Sequence, residues 1–309
     1  MNYLDFFGLR REPFSNVPDQ RFYWESPDQH VALTKLAFAL EQRRGLSLVT
    51  GDIGAGKTTL ARRLFDNLNE RRYHKSLLVV IHSEVTAGWL LHRLAHLIGV
   101  VQPSLNKLEV LSQIFDRLRV IDEEGRIVAI LIDEAQMLGT RELMEEFRGL
   151  LNIEVQERKL INFVFFGLPD VEENLRLDEP LRQRVALRIR LQPYTGEDTR
   201  IYLAHRLNVA GGKKGLLGPD TIARIHHHSQ GVPRVINALG DNLLLESFMT
   251  KTRAITPEMV DKIAKDLDLL PTQPDPLAEI LGYAPGTKTT KREEWKEVDL
   301  DKVLSFLDD

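Results

Sequence analysis

The stretch from Gly51 to Thr58 reads Gly-Asp-Ile-Gly-Ala-Gly-Lys-Thr and fits the pattern G-x-x-x-x-G-K-[ST]. It follows an apolar run at 46–50 and precedes a helical pattern, as this phosphate-binding loop (P-loop) requires. Glycines let the backbone N–H groups of such a loop turn towards phosphate oxygens at the positive end of the helix. We expect Lys57 to reach the β- and γ-phosphates of ATP and Thr58 to ligate Mg²⁺. The predicted nucleotide-binding residues are Gly51, Asp52, Ile53, Gly54, Ala55, Gly56, Lys57, Thr58 and Thr59.

A pair of acids follows a second apolar run. Residues 127–132 are continuously apolar, as in a strand buried on both faces of a parallel sheet, and Asp133 and Glu134 come directly after them. We expect Asp133 to hold Mg²⁺ and Glu134 to orient and deprotonate the attacking water. The alternative is that both acids only cap the next helix. Together with the P-loop, the pair predicts an ATP hydrolase and not only a nucleotide binder.

Composition limits the class of protein. At 309 residues with 43% hydrophobic content, the chain is long enough for two domains with buried cores. It contains no cysteine, which excludes disulfides and thiolate metal sites. No signal-peptide pattern and no apolar run near 18 residues occurs, so we expect a cytoplasmic protein without a transmembrane segment.

The net charge of −4 is unevenly distributed. From Pro271 onward nine acids oppose five bases, whereas the rest of the chain is balanced. A near-neutral body lacks the domain-wide basic field that is typical of nucleic-acid-binding proteins.

Short apolar runs alternate with helical patterns along the first two thirds of the chain. This alternation predicts an α/β fold, a three-layer arrangement around a parallel sheet. Predicted strands are 46–50, 77–81, 127–132, 161–166 and 186–191, and predicted helices are 57–72, 86–99, 105–123 and 140–151. After residue 192 only helical patterns occur, at 195–207, 219–228, 232–248 and 256–267.

A P-loop α/β domain followed by a small all-α domain resembles the plan of AAA+ ATPases. The segment 231–237, Gly-Val-Pro-Arg-Val-Ile-Asn, is similar to their sensor 2 motif, and the resemblance implies that Arg234 reaches the γ-phosphate. The segment 181–185 is similar to the one that carries an arginine finger, which implies that Arg184 or Arg182 acts on the ATP of a neighbouring copy. The chain would then assemble with itself as a ring or filament. The alternatives are ion pairs of these two arginines with acids such as Asp178 or Glu179, and a helix-surface position for Arg234.

Further segments narrow the resemblance to the general secretion pathway protein A group, ExeA and MshM, which is related to the transposition ATPases TniB and TnsC. They are 3–9, 13–14, 18–19, 22–23 and 30–33, together with Asp133-Glu-Ala-Gln136. The resemblance implies an ATPase that assists assembly of a secretion or type IV pilus machine. The alternatives are an ATP-dependent, DNA-binding transposition regulator and a nucleotide-dependent scaffold with negligible turnover.

On this plan we predict four regions. They are an N-terminal extension at 1–30, a P-loop ATPase domain at 31–192, a helical lid domain at 193–270, and a linker with an acidic tail at 271–309. The tail includes a short amphipathic helix at 299–307, with Leu300, Val303, Leu304 and Leu307 on one face. ExeA instead continues through a membrane span into a peptidoglycan-binding domain, so the shorter MshM-like form fits better.

The sequence departs from the group after its fourth strand. The group usually reads Gly-Gln-Pro-Glu there, whereas residues 167–170 read Gly-Leu-Pro-Asp, and Leu168 leaves the usual sensor 1 position without a polar group. We therefore expect slow hydrolysis unless another residue replaces that group. Gln136 and Asn162 are the two candidates, but we expect Asn162, at the start of its strand, to lie too far from the site.

Two sets of histidines could suggest other sites. His92 and His96 have the i, i+4 spacing of metal ligands, but no third ligand is near in sequence, so packing is the favoured interpretation. The run 226–228 points in three directions on a helix, which favours a solvated surface over DNA contacts.

Overall fold

A parallel five-stranded sheet forms the centre of the ATPase region, in the order β2-β3-β6-β1-β7. The computed structural model describes residues 2–17, 19–212 and 215–269, and the predicted linker and tail helix lie outside them. The sheet strands are β1 (Leu46–Thr50), β2 (Tyr73–Val79), β3 (Ile127–Asp133), β6 (Ile161–Gly167) and β7 (Val185–Arg190). Between β3 and β6 a small hairpin, β4 (Glu154–Val155) with β5 (Arg158–Lys159), was not predicted. Strand β6 lies between the acid-pair strand β3 and the P-loop strand β1. One additional strand between these two is typical of AAA+ ATPases, so the predicted fold is confirmed.

Helices cover both faces of this sheet, and alternate strand residues pack against them. On one face lie α2 (Pro27–Glu41) and α3 (Lys57–Asn67), which share a core with Val49, Leu131 and Val164. On the other face, strand residues such as Ile130 and Phe163 pack against five helices. These are α4 (Ala87–Leu97), α5 (Lys107–Glu123), α6 (Arg141–Leu150), α7 (Asp170–Arg176) and α8 (Glu179–Arg182).

The second strand and the helix before it differ from their predicted bounds. Helix α3 ends at Asn67, not at residue 72, because the chain turns where the N–H groups of Arg72 and Tyr73 both donate to Asn69 O. Strand β2 then starts at Tyr73 instead of 77. Its first residues look polar because β2 is the edge strand of the sheet and is half-buried for most of its length. An apolar-run criterion misses such strands.

In the part of the chain that the structure describes, four helices follow the sheet, in agreement with the predicted helical region. They are α9 (Gly196–Val209), α10 (Pro219–Ser229), α11 (Pro233–Met249) and α12 (Pro257–Asp266). A capping box at Thr195 starts α9, and proline stands in the first turn of each of the other three.

The N-terminal residues pack with these lid helices and not with the sheet. Helix α1 (Tyr3–Phe7) precedes an irregular segment, and Phe7, Leu9, Phe14 and Phe22 share one core with the lid. Helix α2 begins at Pro27, a few residues before the predicted start of the ATPase domain, and the domain limits stay predictions. Within the described ranges, no helix is both long and apolar enough to cross a membrane.

Candidate functional site

The sheet register brings the predicted site segments to one edge. Thr50 at the end of β1 lies beside Gly167 at the end of β6, and Ile132 at the end of β3 lies beside Phe165. The P-loop, the acid pair and Leu168 each follow one of these strand ends. The P-loop, Glu134 and Leu168 border a cavity of about 800 Å³, which is also lined by α3, by the lid and by the N-terminal extension. Ligand sites of this size are typical of drug-sized and cofactor-sized molecules.

The P-loop has the backbone of a phosphate cradle. Gly54 and Gly56 have φ values of 80° and 94°, which glycine adopts without strain, and α3 starts immediately afterwards. The side chain of Lys57 is 8% exposed, and its Nζ donates to the carbonyl oxygens of Gly51 at 2.8 Å and Asp52 at 2.9 Å. An ammonium has three donors, so one remains for a phosphate oxygen. Burial lowers the pKa of Lys57, although the carboxylates of Glu134 and Asp133 oppose that effect.

Asp133 provides a buried carboxylate next to the P-loop. It is 2% exposed and accepts the backbone N–H of Glu134 at 3.0 Å. Burial raises the pKa of Asp133, and the neighbouring Thr58 hydroxyl counteracts part of this rise. A hydroxyl and a carboxylate are oxygen ligands of the kind that Mg²⁺ takes alongside nucleotide phosphates. The side-chain oxygen atoms of Thr58 and Asp133 therefore fit the predicted metal.

Glu134 faces the cavity and does not cap a helix with its side chain. It has φ of 57°, in the left-handed region, and precedes a short 3-10 turn at Ala135–Met137 without a side-chain cap bond. The next helix, α6, is instead capped by the hydroxyl of Thr140. This geometry therefore does not support the alternative that the acid pair serves only as a helix cap.

Arg234 lies over the P-loop in the first turn of α11. Its backbone N–H donates to Gly54 O at 3.4 Å, and its side chain lines the same cavity. Gly231 positions this turn, because it has φ of 74° and a Cβ there would lie 2.1 Å from Tyr194 O. Tyr194 N in turn donates to Gly231 O at 2.8 Å. The start of α11 is thus held by two backbone contacts. Arg234 N–H joins it to the P-loop, and the contact between Gly231 and Tyr194, which only glycine allows, fixes the turn before it.

The structure does not bring Arg182 or Arg184 to this site. Both precede β7, whose first residue lies beside Leu46 at the start of β1, so they lie at the sheet edge opposite the P-loop. Arg182 donates from Nε and Nη2 to Glu179 at 2.6 and 2.7 Å, which is one of the ion pairs considered above. Arg184 donates to Arg148 O at 3.2 Å and to the side chain of Asn152.

Of the two candidates for the missing polar group, only Gln136 is at the cavity edge of the sheet. The amide of Asn162 joins neighbouring strands at the opposite edge, accepting from Gly45 N at 3.0 Å and donating to Val128 O at 3.1 Å. Gln136 lies in the 3-10 turn beside Glu134 and contacts Leu168. Asn162 is therefore structural.

A polar network that no sequence pattern predicted joins the N-terminal extension to the lid beside the cavity. Arg206 donates to Ser15 O at 2.8 Å and to the Tyr202 hydroxyl at 2.8 Å. That hydroxyl donates to Asn237 Oδ1 at 2.9 Å, and Asn237 Nδ2 donates to Asn16 Oδ1 at 3.1 Å. These residues are up to 221 positions apart, so no local pattern links them.

The histidines of the two sets contact one another and side chains of neighbouring helices. The rings of His92 and His96 contact each other with centroids 4.9 Å apart, but the described residues contain no group of three or more metal-ligating side chains. In the lid, His226 and His228 bond Thr199 and Asp261 of neighbouring helices.

Comparison with known proteins agrees with this geometry. Residues 40–175 match a family model described as an AAA domain. General secretion pathway protein A of Aeromonas hydrophila is 32% identical over 252 residues, which cover 80% of this chain and 45% of that protein. The chain thus spans less than half the length of this curated relative.

Solved structures share the fold at low sequence identity. The ORC1 protein of Aeropyrum pernix, in a structure with DNA, has a TM-score of 0.61 at 21% identity, covering 83% of this chain and 69% of that one. The RuvB protein of Thermotoga maritima has a TM-score of 0.55 at 18% identity, covering 85% of this chain and 79% of that one. The sheet order, the P-loop and the relative from Aeromonas together place this chain among the AAA+ ATPases of the general secretion pathway protein A type.

Proposed function

We propose that this chain binds ATP with Mg²⁺, hydrolyses it slowly, and assembles with itself to assist construction of a secretion or type IV pilus machine. The observation that carries the ATPase part is the convergence of Lys57, Glu134 and Arg234 on one cavity, with the buried carboxylate of Asp133 close enough to act on the charge of Lys57. These residues come from two strand ends and from the lid.

The phosphate half of the cavity suits a triphosphate. The N–H groups of residues 51–59 and the free donor of Lys57 bind the phosphate oxygens, and Arg234 binds the γ-phosphate from the lid. Bound Mg²⁺ would neutralise charge on the β- and γ-phosphates, held by Thr58 and Asp133. Glu134 orients a water in line with the γ-phosphate and accepts its proton. Phosphoryl transfer needs little more than this positioning and charge stabilisation.

The remaining half of the cavity suits a nucleobase. Tyr194 packs edge-on against Trp24 with ring centroids 5.2 Å apart, and the Arg63 guanidinium lies 5.1 Å from the ring centroid of Tyr23. All four line the cavity or stand at its wall. Flat aromatic and guanidinium surfaces stack on bases at small entropic cost.

The ATPase part is tested with two variants that remove different functions. Lys57→Ala removes the phosphate-binding charge and should abolish ATP binding, whereas Glu134→Gln should keep binding and stop turnover. Lys262→Ala, an exposed lysine on α12, is the matched control and should behave as wild type. Titration with a fluorescent ATP analogue and phosphate release measure both properties. Equal ATP affinity in wild type and Lys57→Ala would refute the proposal.

The role in a secretion or pilus machine rests on the relative from Aeromonas, whose name refers to the general secretion pathway. Purification of the full chain with a chemical crosslinker, from cells with and without ATP depletion, tests it. Enrichment of secretion or pilus components only in the ATP state is the expected result. Their absence in both states would leave the ATPase without this role.

One surface favours DNA binding as a second candidate function. The outer face of α4 carries Trp89, His92, Arg93 and His96 at helical spacing, and this helix contains no acidic residue. Trp89 is 44% exposed, and Arg93 and His96 are exposed as well. Basic and aromatic side chains together suit a nucleic-acid strand.

Co-sedimentation with single-stranded and with duplex DNA in ATP, at two salt concentrations, tests this candidate. Binding that weakens with salt and is lost in Trp89→Ala/Arg93→Ala would support it, because phosphate contacts release counterions. Arg119→Ala on α5 is the control. No binding at low salt would exclude the DNA role.

A further inference from the structure

The carboxylate of Glu134 is held by an amide that does not itself line the cavity. Gln136 Nε2 donates to Glu134 Oε2 at 2.5 Å, and Gln136 Oε1 accepts the backbone N–H of Leu168 at 3.1 Å. Gln136 therefore bridges the catalytic turn after β3 and the end of β6.

The orientation of this amide follows from the chemistry of its partners. A backbone N–H can only donate, so the atom facing Leu168 must be the carbonyl oxygen of Gln136. The NH₂ group then necessarily faces Glu134, whose ionised carboxylate can only accept. One carboxylate oxygen is occupied in this way, and the other remains for a water in the cavity.

The local backbone is built to allow this bridge. A Cβ at Gly167 would lie 2.8 Å from Gln136 Oε1 and 2.5 Å from Val171 Cγ2, so a larger residue would push the amide away. Asn174 Nδ2 donates to the backbone oxygen of Gln136 at 2.9 Å and holds the turn from the side of α7. The side chain and the backbone of Gln136 thus have separate supports.

We propose that Gln136 is a positioning residue for ATP hydrolysis. It aligns Glu134 and supplies the polar group that is missing at Leu168. This inference rests on the proposed function. It differs from a direct contact with the γ-phosphate, because Gln136 acts through Glu134 from outside the cavity lining. It also connects Glu134 to the backbone of β6, so that a shift of either strand end would turn the carboxylate.

Two substitutions of equal length separate the donor from the acceptor. Gln136→Glu keeps an acceptor for Leu168 N–H but cannot donate to Glu134, and Gln136→Met removes both bonds while filling the same space. Each should lower kcat about 10-fold to 100-fold, because misplacement of a catalytic group by a fraction of an ångström to one ångström has costs of this order. KM and the affinity for a fluorescent ATP analogue should stay within about twofold, because the P-loop is untouched.

Gln113→Met is the matched control, since it removes two similar amide bonds on α5, to the N–H of Ser104 and the oxygen of Gln102, at residues that do not line the cavity. Its kcat should stay within about twofold of wild type. The proposal is overturned if Gln136→Glu and Gln136→Met keep wild-type kcat, if they change KM instead of kcat, or if Gln113→Met loses as much kcat as they do. Absence of turnover in the wild type would instead refute the proposed function, and this inference with it.

Discussion

The buried carboxylate of Asp133 favours metal binding but lowers the stability of the protein without nucleotide. Burial raises the pKa of this carboxyl, so the folded protein without nucleotide disfavours the anion relative to the unfolded chain. A carboxyl with a raised folded pKa contributes less stability as the pH rises through its two pKa values. Mg²⁺ needs the anion, and binding of MgATP would compensate for the cost of its burial.

We therefore predict opposite effects of Asp133→Asn on stability and function. The amide oxygen can still accept the N–H of Glu134, so the variant without nucleotide should melt at a higher temperature than wild type at neutral pH. The difference in melting temperature between the variant and wild type should shrink towards acid pH, where the wild-type carboxyl takes up a proton. Thermal melts from pH 4 to pH 8 test this expectation.

The same variant should lose the response to the metal. Mg²⁺ should no longer raise its ATP affinity, while ATP binding in EDTA should equal that of wild type. A variant that melts lower than wild type at every pH would show that the charge stabilises the free fold, contrary to this argument.

The elements that carry the site were predictable to different degrees from sequence. The P-loop and the acid pair each lie within a few consecutive residues after a buried apolar strand, so local pattern was sufficient to locate both. The central strands β1, β3 and β6 were predicted for the same reason, because they are buried on both faces.

Contacts between distant segments could not be predicted in this way. The start of β2 is polar because it lies at the sheet edge, and the apolar residues of 3–24 have no period that shows which surface covers them. The bridge from Gln136 to Leu168 joins two turns that are 32 residues apart. The sequence named Gln136 as a candidate and disfavoured Asn162 from its place at the start of its strand, but only the fold shows the bond between Gln136 and Glu134.

The backbone contact between Gly231 and Tyr194, which lies between β7 and α9, gives a prediction for Gly231. In Gly231→Ala the new Cβ would meet backbone atoms of Tyr194 in a left-handed conformation, so the start of α11 must move. We expect a lower melting temperature and weaker ATP binding, because Arg234 moves away from Gly54. Calorimetry and nucleotide titration measure the two effects.

Gly218→Ala is the control for this substitution. Gly218 also starts a lid helix, but it has φ of −74° and open space around its Cβ position. Its variant should melt and bind ATP as wild type does. Equal losses of melting temperature and ATP binding in both variants would mean that the lid is sensitive to alanine in general. The contact between Gly231 and Tyr194 would then have no special role.

Assembly of several copies would give a catalytic role to two arginines that lie far from the chain's own cavity. Arg182 and Arg184 stand at the sheet edge opposite the P-loop, where a second copy could bring its nucleotide. Arg182 pairs with Glu179 on an exposed helix, and such pairs contribute little stability, so its guanidinium can exchange partners. Arg184 is bound to the backbone of Arg148 and to Asn152, which makes it the more constrained of the two.

A finger supplied by a neighbour predicts complementation between two inactive variants. The double variant Arg182→Ala/Arg184→Ala should bind ATP normally and hydrolyse it poorly, since a finger accounts for about 10³ to 10⁵ in rate in related phosphoryl-transfer systems. Lys57→Ala should be inactive because it binds no ATP, yet it carries both arginines. Mixing the two should restore turnover at interfaces where a Lys57→Ala copy faces an ATP-loaded neighbour. Arg176→Ala, an exposed arginine on α7, should be fully active alone. No recovery at any mixing ratio, with a wild type that stays monomeric in ATP, would mean that the two arginines have only the intramolecular bonds seen in this fold.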